Sequence, residues 1–119
     1  MSDSDGLSRQ EFLDMIKNKT KPLFVKFTAD WCGPCKKIKP MVDEFLSTDI
    51  ITKLQYLEID IDESIDVYAF MKSRKMLNSI PTMLYYDMMT TDYAPSLAIS
   101  DSNLNKVGNF LDIIKKTHE

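Results

Sequence analysis

The spacing of apolar positions changes along the chain, and the changes mark out alternating helices and strands. Ser8 and Glu11 have the spacing of a capping box, with Leu7 and Phe12 placed as a hydrophobic staple. A helix is therefore predicted over about residues 8–19, with Phe12, Leu13 and Ile16 on its inner side. "PLFVKFTA", residues 22–29, is almost continuously apolar, as a strand covered on both faces requires. From Pro34 to about Ser47, the apolar residues Ile38, Met41, Val42, Phe45 and Leu46 recur at helical spacing. Pro40 lacks an amide donor and is expected to bend this second helix.

"KLQYLEID", 53–60, reads as a second strand, followed by a helix over about 63–76 with Ile65, Tyr68, Ala69 and Met71 inward. "TMLYYD", 82–87, and "SLAIS", 96–100, read as short strands joined by the turn "MMTTDYAP". Asp101 or Ser102 is expected to cap a last helix that puts Leu104, Val107, Leu111 and Ile114 on one face. Gly108 weakens that helix. The order αβαβαββα predicts one α/β domain over residues 1–119, a mixed four-stranded sheet with helices on both faces. Residues 1–7 form a polar lead, too short and polar to establish a further first strand.

Composition narrows the function classes. A chain of 119 residues, 44% hydrophobic and 28% charged, is expected to be a soluble globular protein with its own core. A net charge of -3 argues against nucleic acid or an anionic membrane as partner. No apolar run approaches the roughly 18 residues of a membrane span. The N-terminus, "MSDSDGLSRQ", lacks the basic start and apolar stretch of a secretory signal, so a cytoplasmic protein is expected.

Cys32 and Cys35 are the only cysteines, set in "WCGPCK". A zinc site needs about four ligands and the only histidine is His118, so a metal would require a second chain; none is expected. A permanent bridge would close a loop too small to constrain the unfolded chain much. A dithiol that opens and closes is the reading these residues favour. Cys32 stands where the chain leaves a strand and enters a helix, facing free amides and the positive dipole end, which favour a thiolate. Pro34 suits a first helical turn, and Cys35 returns to the same side, within disulfide range. Cys32 is thus expected to be the exposed attacking thiol and Cys35 the buried one that closes the ring. "EIDIDE", 58–63, lacks the spacing and glycine of a calcium loop and reads as a solvated strand end. The methionines are read as gap fillers, with Met83, Met88 and Met89 as alternative substrate contacts and His118 as a tail residue.

"WCGPCK" together with "SIPT", 79–82, resembles the thioredoxin family, and the resemblance runs from about Pro22 into the last helix. It implies a thioredoxin fold and a thiol–disulfide oxidoreductase, with Cys32 as nucleophile and Cys35 as resolving thiol. Trp31, Gly33 and Pro34 would surround the site, and Pro81 would be the family's cis-proline beside the dithiol. Ile80 would offer backbone hydrogen bonds to an extended substrate segment. Gly-Pro between the cysteines is what reductase members carry, which implies reduction of protein disulfides. The resemblance further implies a monomer with no bound cofactor. Its partners would be disulfide-containing proteins and a thioredoxin reductase-type donor fed by NADPH.

Two departures from the family stand out. The position of Lys26 normally holds a buried acid, and Glu58 stands where a lysine is often found, facing it. The two charges are exchanged, and a buried ion must be paired. A charged Lys26 would favour thiolate and shift the protein toward the oxidant side, with Glu58 as proton acceptor. Alternatively Lys26 snorkels to solvent and changes nothing. Ser100 and Asp101 occupy a loop that in the family helps line the substrate groove, and they make it bulkier and more acidic. Two other functions stay open: a redox-sensitive binding module using the Ile80–Pro81 groove, and an oxidant or isomerase role enabled by Lys26.

Overall fold

Six consecutive residues, Leu23–Thr28, form strand β1, and the rest of the molecule is laid out around it in the computed structural model, which describes residues 6–119. Helix α1, Arg9–Asn18, precedes β1, and its capping box is formed as its sequence predicts. The Glu11 amide donates to Ser8 Oγ at 3.1 Å, and the Ser8 amide donates to Glu11 Oε1 at 2.9 Å. Helix α2, Gly33–Leu46, and a 3-10 turn, Asp49–Thr52, carry the chain across to β2, Gln55–Asp60. Such a crossover is what lets β2 lie parallel to β1. Helix α3, Ile65–Ser73, leads to β3, Thr82–Tyr86, then β4, Leu97–Ser100, and α4, Leu104–Thr117. The strand order is β2-β1-β3-β4, with β3 antiparallel to both β1 and β4. The mixed four-stranded sheet of the sequence reading is therefore the observed one.

Two cores follow from the pleat of β1, whose side chains alternate between faces. Leu23, Val25 and Phe27 pack with Phe12 and Ile16 of α1 and Val67 and Met71 of α3. Phe24 faces the other way, into Ile38 and Val42 of α2 and Val107, Phe110 and Leu111 of α4. Phe12 meets Phe27 and Tyr86 edge-on, which ties α1 to two strands.

Several expectations are corrected. In α3 the inward residues are Val67 and Met71, whereas Ile65 is 66% exposed and Ala69 is also exposed. The helix begins only after Ser64, whose hydroxyl accepts the Leu7 amide at 2.9 Å, and this start rotates Ile65 outward. Of the polar lead, residues 1–5 lie outside the described residues, while Leu7 packs against the first core. The cap of α4 is Asn103, not Asp101 or Ser102, because its side chain accepts the amides of Asn105 and Lys106; Leu104 is then exposed. Helix α2 runs through Pro40 as one helix, in keeping with the span read from the sequence. Met83 is a core residue, and Met88 and Met89 sit in the β3–β4 turn, at the end of the sheet away from the cysteines. His118 is no free tail: its Nε2 lies 2.8 Å from the Tyr85 hydroxyl.

Candidate active site

The reactive pair lies between the end of β1 and the start of α2. Cys32 is the N-cap of α2, with extended backbone, and the Cys35 amide points at Cys32 Sγ at 3.1 Å. A helix start has unpaired amides, and one is spent here on a sulfur, where it favours negative charge. Pro34 occupies the first turn, where a missing amide costs nothing. The cysteines are joined as a disulfide with their Cα atoms 5.3 Å apart.

In this oxidised state Cys32 is 3% and Cys35 2% exposed, so the expected exposed attacking thiol is corrected: both are buried. Their surroundings distinguish them. Cys32 Sγ lies 4.0 Å from the carbonyl oxygen of Ile80, on the side of the β3 entry. Cys35 borders a cavity of about 370 Å³ that is also lined by Lys26, Asp30, Lys36, Lys39 and Glu58.

The Ile80–Pro81 peptide bond is cis, as the resemblance implies. Thr82 pairs with Ser100 across β3 and β4, and their hydroxyl oxygens are 2.7 Å apart. That pairing places Ser100 and the following Asp101 beside the Pro81 segment. Asp101 is not free: its carboxylate accepts the Asn103 amide at 2.8 Å and lies 3.4 Å from Lys106 Nζ. The Asn103 amide is the main cause holding this carboxyl below its ordinary range. Gly33 and Pro34 are exposed, and a Cβ on Gly33 would meet nothing within 4 Å, so the chain itself leaves that space open.

Trp31 is 66% exposed, and its indole N–H donates to Asp62 Oδ2 at 2.8 Å. Sequence reasoning missed Asp62, having read 58–63 as a solvated strand end. A usable signal was there: β1 and β2 end in register, Thr28 beside Asp60, so residues just past each strand share one rim.

Lys26 and Glu58 are Cα partners across β1 and β2. Lys26 Nζ lies 3.3 Å from Glu58 Oε1, with side-chain exposures of 3% and 49%. The ammonium is therefore held inside against its carboxylate and does not extend into solvent. The Tyr56 hydroxyl donates to the same Glu58 oxygen at 3.0 Å. Burial, and then the Glu58 charge, pushes the Tyr56 phenol well above its ordinary range, so it remains a donor.

Among the described residues no group of metal-ligating side chains could hold a metal ion, and no helix is long and apolar enough to cross a membrane. What remains is a dithiol at a helix N-terminus beside a cis-proline, on a mixed four-stranded sheet. The class so defined is that of proteins performing thiol–disulfide exchange.

Comparison with known proteins gives the family. The thioredoxin family model matches residues 4–105. Thioredoxin 1 of Plasmodium falciparum is 35% identical over 79 residues, covering 66% of this chain and 69% of its own. The chloroplastic thioredoxin M4 of Arabidopsis thaliana is 34% identical over 81 residues, 68% of this chain but only 39% of that longer one. The solution structure of oxidised Plasmodium falciparum thioredoxin superposes with a TM-score of 0.65 at 26% identity, covering 90% of this chain and 92% of that one. The chain belongs to the thioredoxin family and is a thiol–disulfide oxidoreductase working through Cys32 and Cys35. Family members act on disulfide substrates through this redox disulfide and need no bound cofactor.

Proposed function

We propose that the protein reduces protein disulfides. Cys32, as thiolate, attacks one sulfur of the substrate disulfide; the S–S bond breaks, one substrate thiol leaves and a mixed disulfide forms. Cys35 then attacks Cys32 Sγ, releases the second thiol and closes the Cys32–Cys35 bond. The observation that carries this reading is the Cys35 amide aimed at Cys32 Sγ at 3.1 Å on the first turn of α2. It stabilises the attacking thiolate and puts the resolving thiol one helical turn away.

Trp31, Gly33, Pro34, Ile80, Pro81, Ser100 and Asp101 form the substrate surface in this reading. The open space at Gly33 admits a partner backbone, and the Ile80 carbonyl beside Cys32 supports strand-like docking of the substrate. Electrons come from NADPH through a thioredoxin reductase-type donor, so the protein acts in electron transport as a cytoplasmic, monomeric, single-domain carrier.

Turnover of a disulfide-bonded protein with dithiothreitol as donor tests the proposal. Catalysis is expected from the natural chain, none from Cys32→Ser, and a trapped mixed disulfide from Cys35→Ser. A reduced Cys32 alkylated no faster than a peptide cysteine would overturn it. Partner binding without turnover would instead assign a redox-sensitive binding module.

A further inference from the structure

At its end away from Trp31, α3 carries one of the chain's two arginines into a cavity that the disulfide chemistry does not use. The cavity, about 380 Å³, lies between the end of α3 and the β3–β4 loop and is lined by Phe70, Arg74, Met76, Asp92, Tyr93 and Ala94. Phe70, Met76 and Tyr93 are half-buried, whereas Arg74, Asp92 and Ala94 are exposed. We infer that this cavity is a docking site for an acidic segment of a protein partner, with one carboxylate on Arg74 and an apolar side chain between Phe70, Met76 and Tyr93. The inference does not depend on which disulfides the protein reduces.

Both arginines converge on the Phe70 ring, and they differ in what else they meet. The guanidinium carbon of Arg9 lies 4.8 Å from the ring centroid, and that of Arg74 lies 5.2 Å from it. Arg9 is spent on Asp66, with Nε and Nη2 at 2.9 and 2.8 Å from Oδ1. Among the described residues Arg74 has no carboxylate partner. Stacking on an aromatic face holds the guanidinium plane and leaves its N–H fork unspent, the form suited to bidentate carboxylate recognition. Tyr93 extends the apolar wall, its ring centroid 4.5 Å from that of Phe70. It is pinned at two points: its hydroxyl donates to the Arg9 carbonyl at 2.7 Å, and its carbonyl accepts the Tyr86 hydroxyl at 2.6 Å. The wall is therefore preformed, and docking orders few side chains.

Charge sets the sign of the partner. Asp92 is the acid in the lining, and its Oδ1 already accepts the Tyr93 amide at 2.7 Å. From Val67 to Tyr86 the sequence holds no acid but does hold Lys72, Arg74 and Lys75, all exposed, in a chain whose net charge is -3. A cation in the last turn of a helix complements the dipole, which accounts for Lys72. Lys75 is not explained by that alone. It stands past the helix end with φ of 59°, in the left-handed region where glycine is the unstrained residue. The turn it makes puts the Met76 amide on the Met71 carbonyl at 2.9 Å and brings Met76 into the cavity beside Arg74. The chain thus carries a cation where its backbone favours glycine, next to an arginine without an acid. Arginine beside an aromatic wall is how acidic segments with an apolar anchor are held.

The probe is a fluorescent peptide, capped at both ends, in which glutamates flank a phenylalanine. It is titrated with the whole oxidised chain and followed by anisotropy, and amide NMR shifts locate the contact. Saturable binding that shifts Phe70, Arg74 and Tyr93 and weakens with added salt is expected. Arg74→Gln should weaken it about tenfold, the effect of losing one charge-assisted contact, while Arg74→Lys keeps part of it. Neither change should alter reduction of a small disulfide with dithiothreitol as donor. A peptide with lysines for the glutamates, or glycine for the phenylalanine, should bind about tenfold more weakly. Equal binding of the lysine peptide, unchanged affinity of a folded Arg74→Gln protein, or shifts confined to the Trp31–Pro81 surface would each overturn the inference. Displacement of the peptide by inorganic phosphate at a similar concentration would give the cavity to small anions. Self-association lost in Arg74→Gln would give it to a second copy of the chain, and either result overturns the peptide assignment. Should the variants not fold, the salt and peptide-sequence arms, read on the natural chain, decide. Loss of protein-disulfide turnover with peptide binding intact would fault the proposed function alone.

Discussion

The indole N–H of Trp31 is hydrogen-bonded to Asp62 Oδ2 at 2.8 Å, while most of the ring stays in solvent. A carboxylate acceptor makes the bond charge-assisted and gives it direction, so a large apolar ring is held in one pose next to Cys32. Nothing among the described residues covers it, and in the proposed function this exposed face is a substrate contact.

Asp62→Ala is therefore expected to cost function and not stability. The freed ring must be ordered each time a substrate docks, which lowers kcat/KM on a protein disulfide by about 3- to 10-fold. A small uncharged disulfide that does not reach Trp31 should be reduced at nearly the parent rate. The unfolding free energy should change by less than about 1 kcal/mol, because both partners are solvent-accessible. Steady-state rates on the two substrates, with a urea titration, check all three outcomes.

The glycines of α4 and of the N-terminal lead should respond oppositely to alanine. At Gly108 a Cβ would sit 3.8 Å from Met41 Sδ, an ordinary contact, inside a regular helix. Gly108→Ala should raise stability by about 0.5–1 kcal/mol through lower backbone entropy in the unfolded chain. Gly6 has φ of +71°, and its Cβ would fall 2.1 Å from the Glu63 carbonyl oxygen, so Gly6→Ala must break that contact. Its midpoint in denaturant should fall.

His118 makes stability depend on pH at the far end of the molecule. Its ring nitrogen faces the Tyr85 hydroxyl at 2.8 Å, and burial, then Lys53, lowers its pKa from the ordinary 6.5. Burial also raises the Tyr85 phenol, which therefore keeps its proton and donates to a neutral imidazole. Because the folded value lies below the unfolded one, the unfolded chain binds more protons between the two. The His118 contribution is thus complete above about pH 6.5 and is lost as pH falls through the folded value. Urea midpoints measured from about pH 8 to pH 5 should decline, and His118→Gln should flatten the decline.

Much of the molecule was legible because its signals are local. Ser8 and Glu11 announce a helix start, the unbroken "LFVKF" announces a strand with both faces covered, and "WCGPC" announces a helix that begins on a sulfur. The misreadings share a cause. Ile65 and Ala69 fit an apolar stripe, but where α3 begins depends on Ser64 meeting Leu7, 57 residues away. Asn103 outcompetes Asp101 as a cap because Asp101 is drawn to Lys106 and to the Asn103 amide.

By itself, then, the sequence determined the alternation of elements, the thioredoxin-like motif pair and a lysine placed in the middle of a buried strand. Those depend on spacing between near neighbours, which the chain carries wherever it folds. Only the tertiary structure decided what that lysine meets, which residue steadies Trp31, and that both sulfurs of the disulfide are buried. Each of these depends on where two strands end relative to one another, a consequence of packing the whole sheet that no window of neighbouring residues contains.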